Sequence, residues 1–249
     1  MNLITKKTRE VGTSAGVLLP RSWLNKEVVI TLLHPSKEKI LQDVIEYLIN
    51  NNLNEEVKGI YIYGSYARGD YDSNSDIDIL ILTENITKLI NYNNYEILIV
   101  SEDNFLKNLT KNLSYLSSIK EAKVLLNKEL INLYKNKNIR LEVKKYFDEI
   151  RSVLAINEET VLSCMENNKK MPDGIAYSIV LRLRELYLIK SLNSNKTYQK
   201  KDFLKLIPNK INSAYLRIKR NEKELDNIHP KELIPLISLS KKWLKEIKE

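Results

Sequence analysis

Cysteine and histidine are scarce in this chain of 249 residues, which contains one cysteine and two histidines. The lone Cys164 excludes an internal disulfide and a metal site built from cysteines. A chain without disulfides fits a reducing compartment, so we expect a cytoplasmic protein. We expect Cys164 to be a small buried residue on a helix.

Long apolar runs are also missing. No run approaches the roughly 20 residues that a membrane-spanning helix needs, and the chain does not open with a charged and then apolar leader, so we expect no membrane partner. The length allows one or two domains with a sizeable core. The net charge of +8 permits binding to nucleic acid or nucleotide, although solvated lysine faces are also common.

The stretch richest in chemistry lies between two predicted strands. Residues 57–63 are apolar, β-branched and aromatic, which predicts a strand. The strand stops at Gly64 and Ser65, small residues that let the backbone approach a ligand and that could open a helix N-terminus, a natural phosphate site. A polar turn then leads to a second predicted strand at residues 76–82.

Two carboxylates share one face of that second strand. The strand period places Asp76 and Asp78 on the same side of an otherwise apolar segment. Such a pair is costly to bury as ions unless a cation lies between them. Aspartate oxygens with open coordination positions suit Mg²⁺, which completes its shell with phosphate oxygens. The residues therefore predict a metal–nucleotide site.

Residues 64–69 (GSYARG) and 75–78 (SDID) resemble the signature of the minimal nucleotidyltransferases of the DNA polymerase β-like superfamily. That signature runs Gly-Ser-x-Ala-x-Gly, five residues, Ser-Asp-x-Asp, and every fixed position is present here. The required strand–turn–strand context is also predicted. The alternative is an ordinary hairpin with surface aspartates.

The resemblance implies a nucleotidyltransferase that moves a nucleoside monophosphate, AMP from ATP in the first instance, to an acceptor with the help of two Mg²⁺ ions. It implies nucleotide-binding roles for four residues: Gly64, Ser65, Arg68 and Ser75. It implies metal-binding and catalytic roles for three carboxylates: Asp76, Asp78 and Glu96.

Glu96 enters as the third carboxylate because the superfamily usually supplies one from a later core strand. Residues 95–100 predict such a strand, and Glu96 is its only acidic residue. The alternative is a solvent-facing residue on an edge strand. Residues 83–94, which lead to this strand, are expected to form a short helix and a loop.

The favoured acceptor is a partner protein, as in antitoxin-type protein adenylyltransferases, with RNA 3′ ends or small molecules as alternatives. In toxin–antitoxin pairs such enzymes act beside HEPN helical ribonucleases, which are marked by an arginine four to six residues before a histidine. No arginine stands at that spacing before His229, so a fused ribonuclease is disfavoured.

The opening block carries a second resemblance. Residues 1–34 predict two or three short strands, including 28–33, and a helical turn at 20–24. Residues 7–20 (KTREVGTSAGVLLP) resemble the AbrB-like swapped hairpin. This resemblance implies an intertwined homodimer and DNA binding through Lys6, Lys7, Arg9 and Arg21. A hairpin that serves dimerisation alone is the alternative.

We therefore expect an α+β protein with three parts: an AbrB-like block at 1–34, a nucleotidyltransferase core with a short mixed sheet at 35–127, and a helical bundle at 128–249. Ser36 should cap a helix over residues 37–50. Bundle helices are predicted at 141–166, 175–192, 201–220 and 231–247. Arg182 and Arg184 either face the cleft or are solvated or paired with neighbours, and we favour the second.

A second functional hypothesis belongs to a different class. The basic opening block and the net charge also fit a dimeric DNA-binding regulator whose transferase core senses nucleotide without catalysis. DNA binding with a steep salt dependence that requires residues 1–34 would favour it.

Overall fold

The computed structural model describes residues 4–31, 34–72 and 75–247. Contacts divide the chain into one unit that ends at Pro35 and one that begins at Ser36. In the first unit, β1 (Arg9–Val11) and β2 (Ser14–Gly16) form an antiparallel hairpin, and a 3-10 turn follows at Arg21–Trp23. The predicted third strand is wrong for residues 28–31, which have no regular structure, and residues 32 and 33 lie outside the described ranges.

The second unit is built on a five-stranded mixed sheet in the order β5-β6-β4-β3-β7. Strands β4 and β6 are parallel and the other neighbours are antiparallel. The strand bounds are β3 (Val57–Tyr63), β4 (Ile77–Thr83), β5 (Lys88–Tyr92), β6 (Tyr95–Ser101) and β7 (Lys123–Leu126). With many helices around it, this sheet confirms the α+β class.

The helix expected within residues 83–94 is wrong, because β5 occupies residues 88–92 and the described segment contains no helix. β5 pairs with β6 through a tight turn at Asn93, whose φ is 55°. Asparagine tolerates such a positive φ, which two-residue hairpin turns require. β6 therefore lies inside the sheet, between β5 and β4.

Each face of the sheet carries its own hydrophobic layer. Helix α1 (Lys37–Asn50) begins after Ser36, whose Oγ accepts the Lys39 N–H at 3.2 Å, as the sequence predicts. Its buried face packs with the isoleucines of β4 and β6. On the other face, leucines of β4 pack with α3 (Glu102–Asn108), α4 (Leu113–Glu121) and α5 (Lys128–Lys135). Between β3 and β4 lies the short α2 (Gly64–Arg68).

The rest of the chain is helical: α6 (Lys144–Glu166), α7 (Asp173–Asn193), α8 (Lys200–Leu204), α9 (Asn209–Lys219) and α10 (Pro230–Glu246). These helices share one core with Leu113 and Leu116 of α4. The single helix predicted over residues 201–220 is two helices, because Pro208 lacks the N–H that a continuous helix needs and instead precedes α9. Cys164 lies on α6 as predicted, but it is only half-buried.

Helices α7 and α9 are joined by a buried ion pair. Asp173, which is 0% exposed, accepts hydrogen bonds from Arg217 Nε at 2.7 Å and Arg217 Nη2 at 2.9 Å. It also accepts the Leu225 N–H at 3.0 Å. Among the helices of the described ranges, none combines the length and the apolar character required to cross a bilayer.

Candidate active site

An open cleft of about 870 Å³ lies between the sheet and the helical part of the second unit. Residues from the ends of β3, β4 and β6 form one wall, and α7, α8 and α9 supply the other. All seven residues predicted for nucleotide, metal and catalysis line this cleft: Gly64, Ser65, Arg68, Ser75, Asp76, Asp78 and Glu96. Tertiary structure thus gathers residues that the sequence separates by more than thirty positions.

Asp78 and Glu96 are direct neighbours across the parallel strands β4 and β6. Neighbouring strands lie about 4.8 Å apart, so the two carboxylates share one end of one sheet face. Burial raises the pKa of Asp78 to about 6, and the charge of Glu96 adds to the rise. Asp76 is exposed and stands one residue before β4. The edge-strand interpretation of Glu96 is wrong, since β6 is an interior strand.

Gly64 is required by both its conformation and its surroundings. Its φ of +66° is one that side chains rarely adopt. A Cβ atom built on it would lie 1.9 Å from Asp78 Oδ2. Because Gly64 has no side chain, the turn after β3 can pack directly against the Asp78 carboxylate of β4.

Glu121, the last residue of α4, is a site residue that the sequence did not reveal. Its carboxylate accepts hydrogen bonds from Gly64 N at 3.2 Å, Arg68 Nη1 at 2.5 Å and Ser117 Oγ at 3.2 Å. The side chain is 4% exposed, and burial raises its pKa while the Arg68 guanidinium opposes that rise. Glu121 therefore ties the Gly64 turn to α4.

Arg68 lies inside the cleft rather than in solvent. Its side chain is 13% exposed, and it pairs with Asp70 at 3.2 Å as well as with Glu121. Its guanidinium carbon lies 5.1 Å from the centroid of the Tyr198 ring, which belongs to the helical wall. Arg68 thus links the sheet side of the cleft to the helical side.

Arg184 approaches the same ring from α7. Its guanidinium carbon lies 5.5 Å from the Tyr198 centroid, and its Nη1 is 3.5 Å from Tyr215 Oη. Within the part of the chain that the structure describes, Arg184 makes no ion pair. Arg182 instead pairs with Glu149 at 3.0 Å and Glu185 at 2.7 Å. The expectation of solvation or pairing is confirmed for Arg182 and is wrong for Arg184.

The cleft fits a divalent cation on the chemistry of its donors. Asp76, Asp78 and Glu96 all line it, although their oxygens do not all lie within 4.8 Å of one another. Among the described residues, no cationic side chain is hydrogen-bonded to Asp78. Another acidic group, Asp173, Glu224 and Asp226, has carboxylate oxygens within 4.8 Å of one another. There, however, Arg217 already balances the buried Asp173, so that group serves as an ion pair between helices.

The family comparison finds a nucleotidyltransferase domain over residues 41–153. A 41-residue segment is 44% identical to "Putative protein adenylyltransferase MJ0141" of Methanocaldococcus jannaschii and covers 16% of this chain and 41% of that protein. A 47-residue segment is 43% identical to "Putative protein adenylyltransferase MJ0604" of the same organism and covers 19% and 46%. The chain thus spans less than half of each relative, and these matches support a nucleotidyltransferase enzyme at the level of the family.

Two solved structures share low similarity with 83% of this chain. One is a nucleotidyltransferase-like protein from Exiguobacterium sibiricum, with 12% identity, a TM-score of 0.34, and coverage of 83% of this chain and 75% of that one. The other is the spectinomycin adenyltransferase AAD(9) from Enterococcus faecialis, with 14% identity, a TM-score of 0.39, and coverage of 83% and 98%.

The predicted DNA-binding residues stand apart from this cleft in sequence and belong to the first unit. All four are exposed: Lys6, Lys7, Arg9 and Arg21. The domain match begins at residue 41, after this block.

Proposed function

We propose that this chain is an Mg²⁺-dependent nucleotidyltransferase that moves AMP from ATP to an acceptor hydroxyl or amine in the cleft. The observation that carries the proposal is the pairing of Asp78 with Glu96 across β4 and β6, beside the Gly64 turn. These half-buried carboxylates repel each other, and a divalent cation would relieve that repulsion. The domain match over residues 41–153 supports the same activity.

The nucleotide is assigned to the sheet side of the cleft. Gly64 and Ser65 stand at the turn after β3 and would hold the β- and γ-phosphates, with Ser75 close to them along the lining. Arg68 faces the same space and adds positive charge there. From the opposite wall, Arg184 supplies a guanidinium with no ion pair among the described residues. Cations on both walls suit a polyphosphate.

Asp76, Asp78 and Glu96 are the residues that would hold the metal ions. Their oxygens form the hard donor set that Mg²⁺ prefers. When bound, Mg²⁺ neutralises phosphate charge and lowers the pKa of the acceptor group. Because the pKa of Asp78 is about 6, this carboxylate is largely ionised and ready to bind a cation at neutral pH.

In the reaction, the acceptor oxygen or nitrogen forms a bond to the α-phosphorus of ATP. The bond from that phosphorus to the bridging oxygen breaks, and pyrophosphate leaves with the electron pair. We assign the acceptor proton to Glu96, which lies next to Asp78 and would act as general base. The Glu121 contacts hold Arg68 and the Gly64 turn in place during this step.

We favour a partner protein as the acceptor. The support is the name of the two archaeal relatives, protein adenylyltransferases, whose matched segments include less than half of their own length. In this proposal the chain would modify a partner protein, as antitoxin-type protein adenylyltransferases do. An RNA 3′ end or a small molecule would be processed by the same chemistry.

The first unit is assigned to dimerisation, with DNA binding through its exposed basic residues. It exposes large apolar side chains, Val11 in the hairpin at 54% and Leu18 just after it at 62%. Exposed apolar groups of this kind favour association with another surface. A dimeric DNA-binding regulator, whose transferase core senses nucleotide without catalysis, is the competing proposal.

One experiment separates these proposals. Purified protein is incubated with Mg²⁺, cell extract and each of ATP, GTP, CTP and UTP labelled at the α-phosphate. Label that is removed by protease identifies a protein acceptor, and label removed by ribonuclease identifies RNA. If ATP binds but no label is transferred with any nucleotide, the regulator is supported instead.

A further inference from the structure

A second cavity in the same unit has a strongly basic lining. It measures about 730 Å³ and shares no lining residue with the cleft. We call it the lysine-rich cavity, and its cations come from α4, from α5 with the segment after it, and from α7: Lys120, Lys135, Lys137, Arg140 and Lys190. Among the described residues, its one acidic lining residue is Glu246.

That single carboxylate is already engaged. Glu246 pairs with Lys190 at 3.1 Å and with Lys242 at 3.6 Å. Within residues 4–31, 34–72 and 75–247, the remaining cations of the cavity therefore have no carboxylate from the lining to balance them. The described lining holds five basic residues and one acidic residue, which gives a local charge of +4.

Two of the lysines bond to neutral partners. Lys135 Nζ donates to the backbone carbonyl of Ala122 at 2.8 Å, and Lys120 Nζ donates to Asn195 Oδ1 at 2.9 Å. Burial lowers the pKa of Lys135, because the charged form loses hydration that the carbonyl only partly replaces. An anion in the cavity would supply the missing charge.

The neutral part of the lining is rich in hydrogen-bond donors. Four side-chain amides and one hydroxyl surround the cations: Asn136, Asn138, Asn193, Asn195 and Ser194. Phosphate oxygens accept several N–H and O–H donors at once, and lysine binds phosphate as a point charge. This lining would repel a metal ion or a cationic small molecule.

We propose that the lysine-rich cavity is a second binding site, for the phosphate groups of a polyanion, distinct from the catalytic cleft. The phosphates come either from a nucleic-acid strand or from a free nucleotide. The proposal does not depend on the transferase activity, since the cavity shares no residue with the cleft.

The test uses charge reversal at two exposed residues of the cavity, in the double variant K137E/R140E. The matched control is K169E/K170E, which makes the same change in net charge at exposed positions outside both cavities. Two probes are titrated into the full chain in buffer without Mg²⁺: a fluorescein-labelled 12-nucleotide RNA and ATP. Circular dichroism melting of both variants verifies that they fold.

If the source is a nucleic-acid strand, K137E/R140E weakens RNA binding about tenfold or more relative to the control. It also makes the negative slope of log K against log salt shallower by about 1.4, because each of the two lost single-strand phosphate contacts contributes about 0.7. If the source is a nucleotide, the double variant binds one ATP fewer than the control. Equal RNA affinities and equal ATP stoichiometries in the two variants would overturn the proposal.

Discussion

Asp78 of β4 and Glu96 of β6 stand opposite each other in a parallel strand pair, with Gly64 against the Asp78 carboxylate. The two acidic residues are eighteen positions apart along the chain, and the hairpin of β5 with β6 brings the second back beside the first. Burial raises the pKa of Asp78 and the charge of the neighbouring Glu96 adds to the rise, while the contact with the Asp78 carboxylate explains the need for glycine at position 64.

Replacing Gly64 with alanine should damage both stability and activity. The positive φ alone costs about 1–2 kcal/mol for a residue with a Cβ. The clash with Asp78 Oδ2 adds to this and displaces the carboxylate, so we expect turnover to fall about 100-fold or more. Gly69→Ala is the control, because Gly69 also has a positive φ but no atom within 4 Å of its built Cβ. Equal turnover in the two variants would show that the clash has no functional consequence.

Arg184 and Arg182 offer a matched pair on one helix. Arg184→Ala should raise the KM for ATP about tenfold or more, since hydrogen bonds to charged groups contribute about 1.5–3 kcal/mol. Arg182→Ala removes only pairs with Glu149 and Glu185 and should leave the KM within about twofold. Steady-state kinetics with varied ATP measures both. A larger rise in the KM for ATP from Arg182→Ala than from Arg184→Ala would mean that the nucleotide does not bind beside Arg184.

Asp173→Asn should destabilise the helical part by about 3 kcal/mol at pH 7, because it leaves the Arg217 charge without its buried partner. Arg217 holds the pKa of Asp173 below its usual range. A lowered folded-state pKa means that this stabilisation is present above about pH 4 and is lost as the pH falls through the folded-state pKa. The difference in the free energy of unfolding between wild type and variant, measured by urea denaturation, should therefore become smaller in acid. Glu224→Gln, an exposed member of the same acidic group, should change stability by less than about 0.5 kcal/mol.

Alanine substitution of the four basic residues in the first unit tests DNA binding: Lys6, Lys7, Arg9 and Arg21. If they contact phosphates, the salt slope for duplex DNA should fall by up to about 3.6 per chain, at about 0.9 for each contact. Electrophoretic mobility shifts at several salt concentrations measure this slope. An unchanged slope, with DNA still bound, would assign DNA binding to another surface.

The sequence was sufficient to locate elements whose signals are local. The predicted and observed bounds of β3 agree, because the apolar run of residues 57–63 ends at Gly64. α1 followed from the Ser36 cap and its apolar periodicity. Asp78 on β4 and Asp76 just before it follow from strand alternation and from the polar turn, which are both visible in the residues.

Features that depend on tertiary packing were missed. β5 is a short edge strand with one buried residue, Ile90, so its pattern resembles a loop. Glu121 reaches Gly64 only because α4 packs near α2, a contact 57 residues apart in sequence. Arg184 differs from Arg182 only in the side of α7 that it occupies, which periodicity could not assign to the cleft or to solvent.

The most direct test of the catalytic site is transfer of α-phosphate label from ATP in the presence of Mg²⁺ by wild type, Asp76→Asn and Asp103→Asn. Asp103 is an exposed carboxylate on α3 outside the cleft, so it controls for the loss of one negative charge. The account predicts that Asp76→Asn loses at least about 100-fold in turnover with an unchanged melting temperature, while Asp103→Asn remains within about twofold of wild type. Equal label transfer by wild type and Asp76→Asn would contradict the metal–nucleotide site.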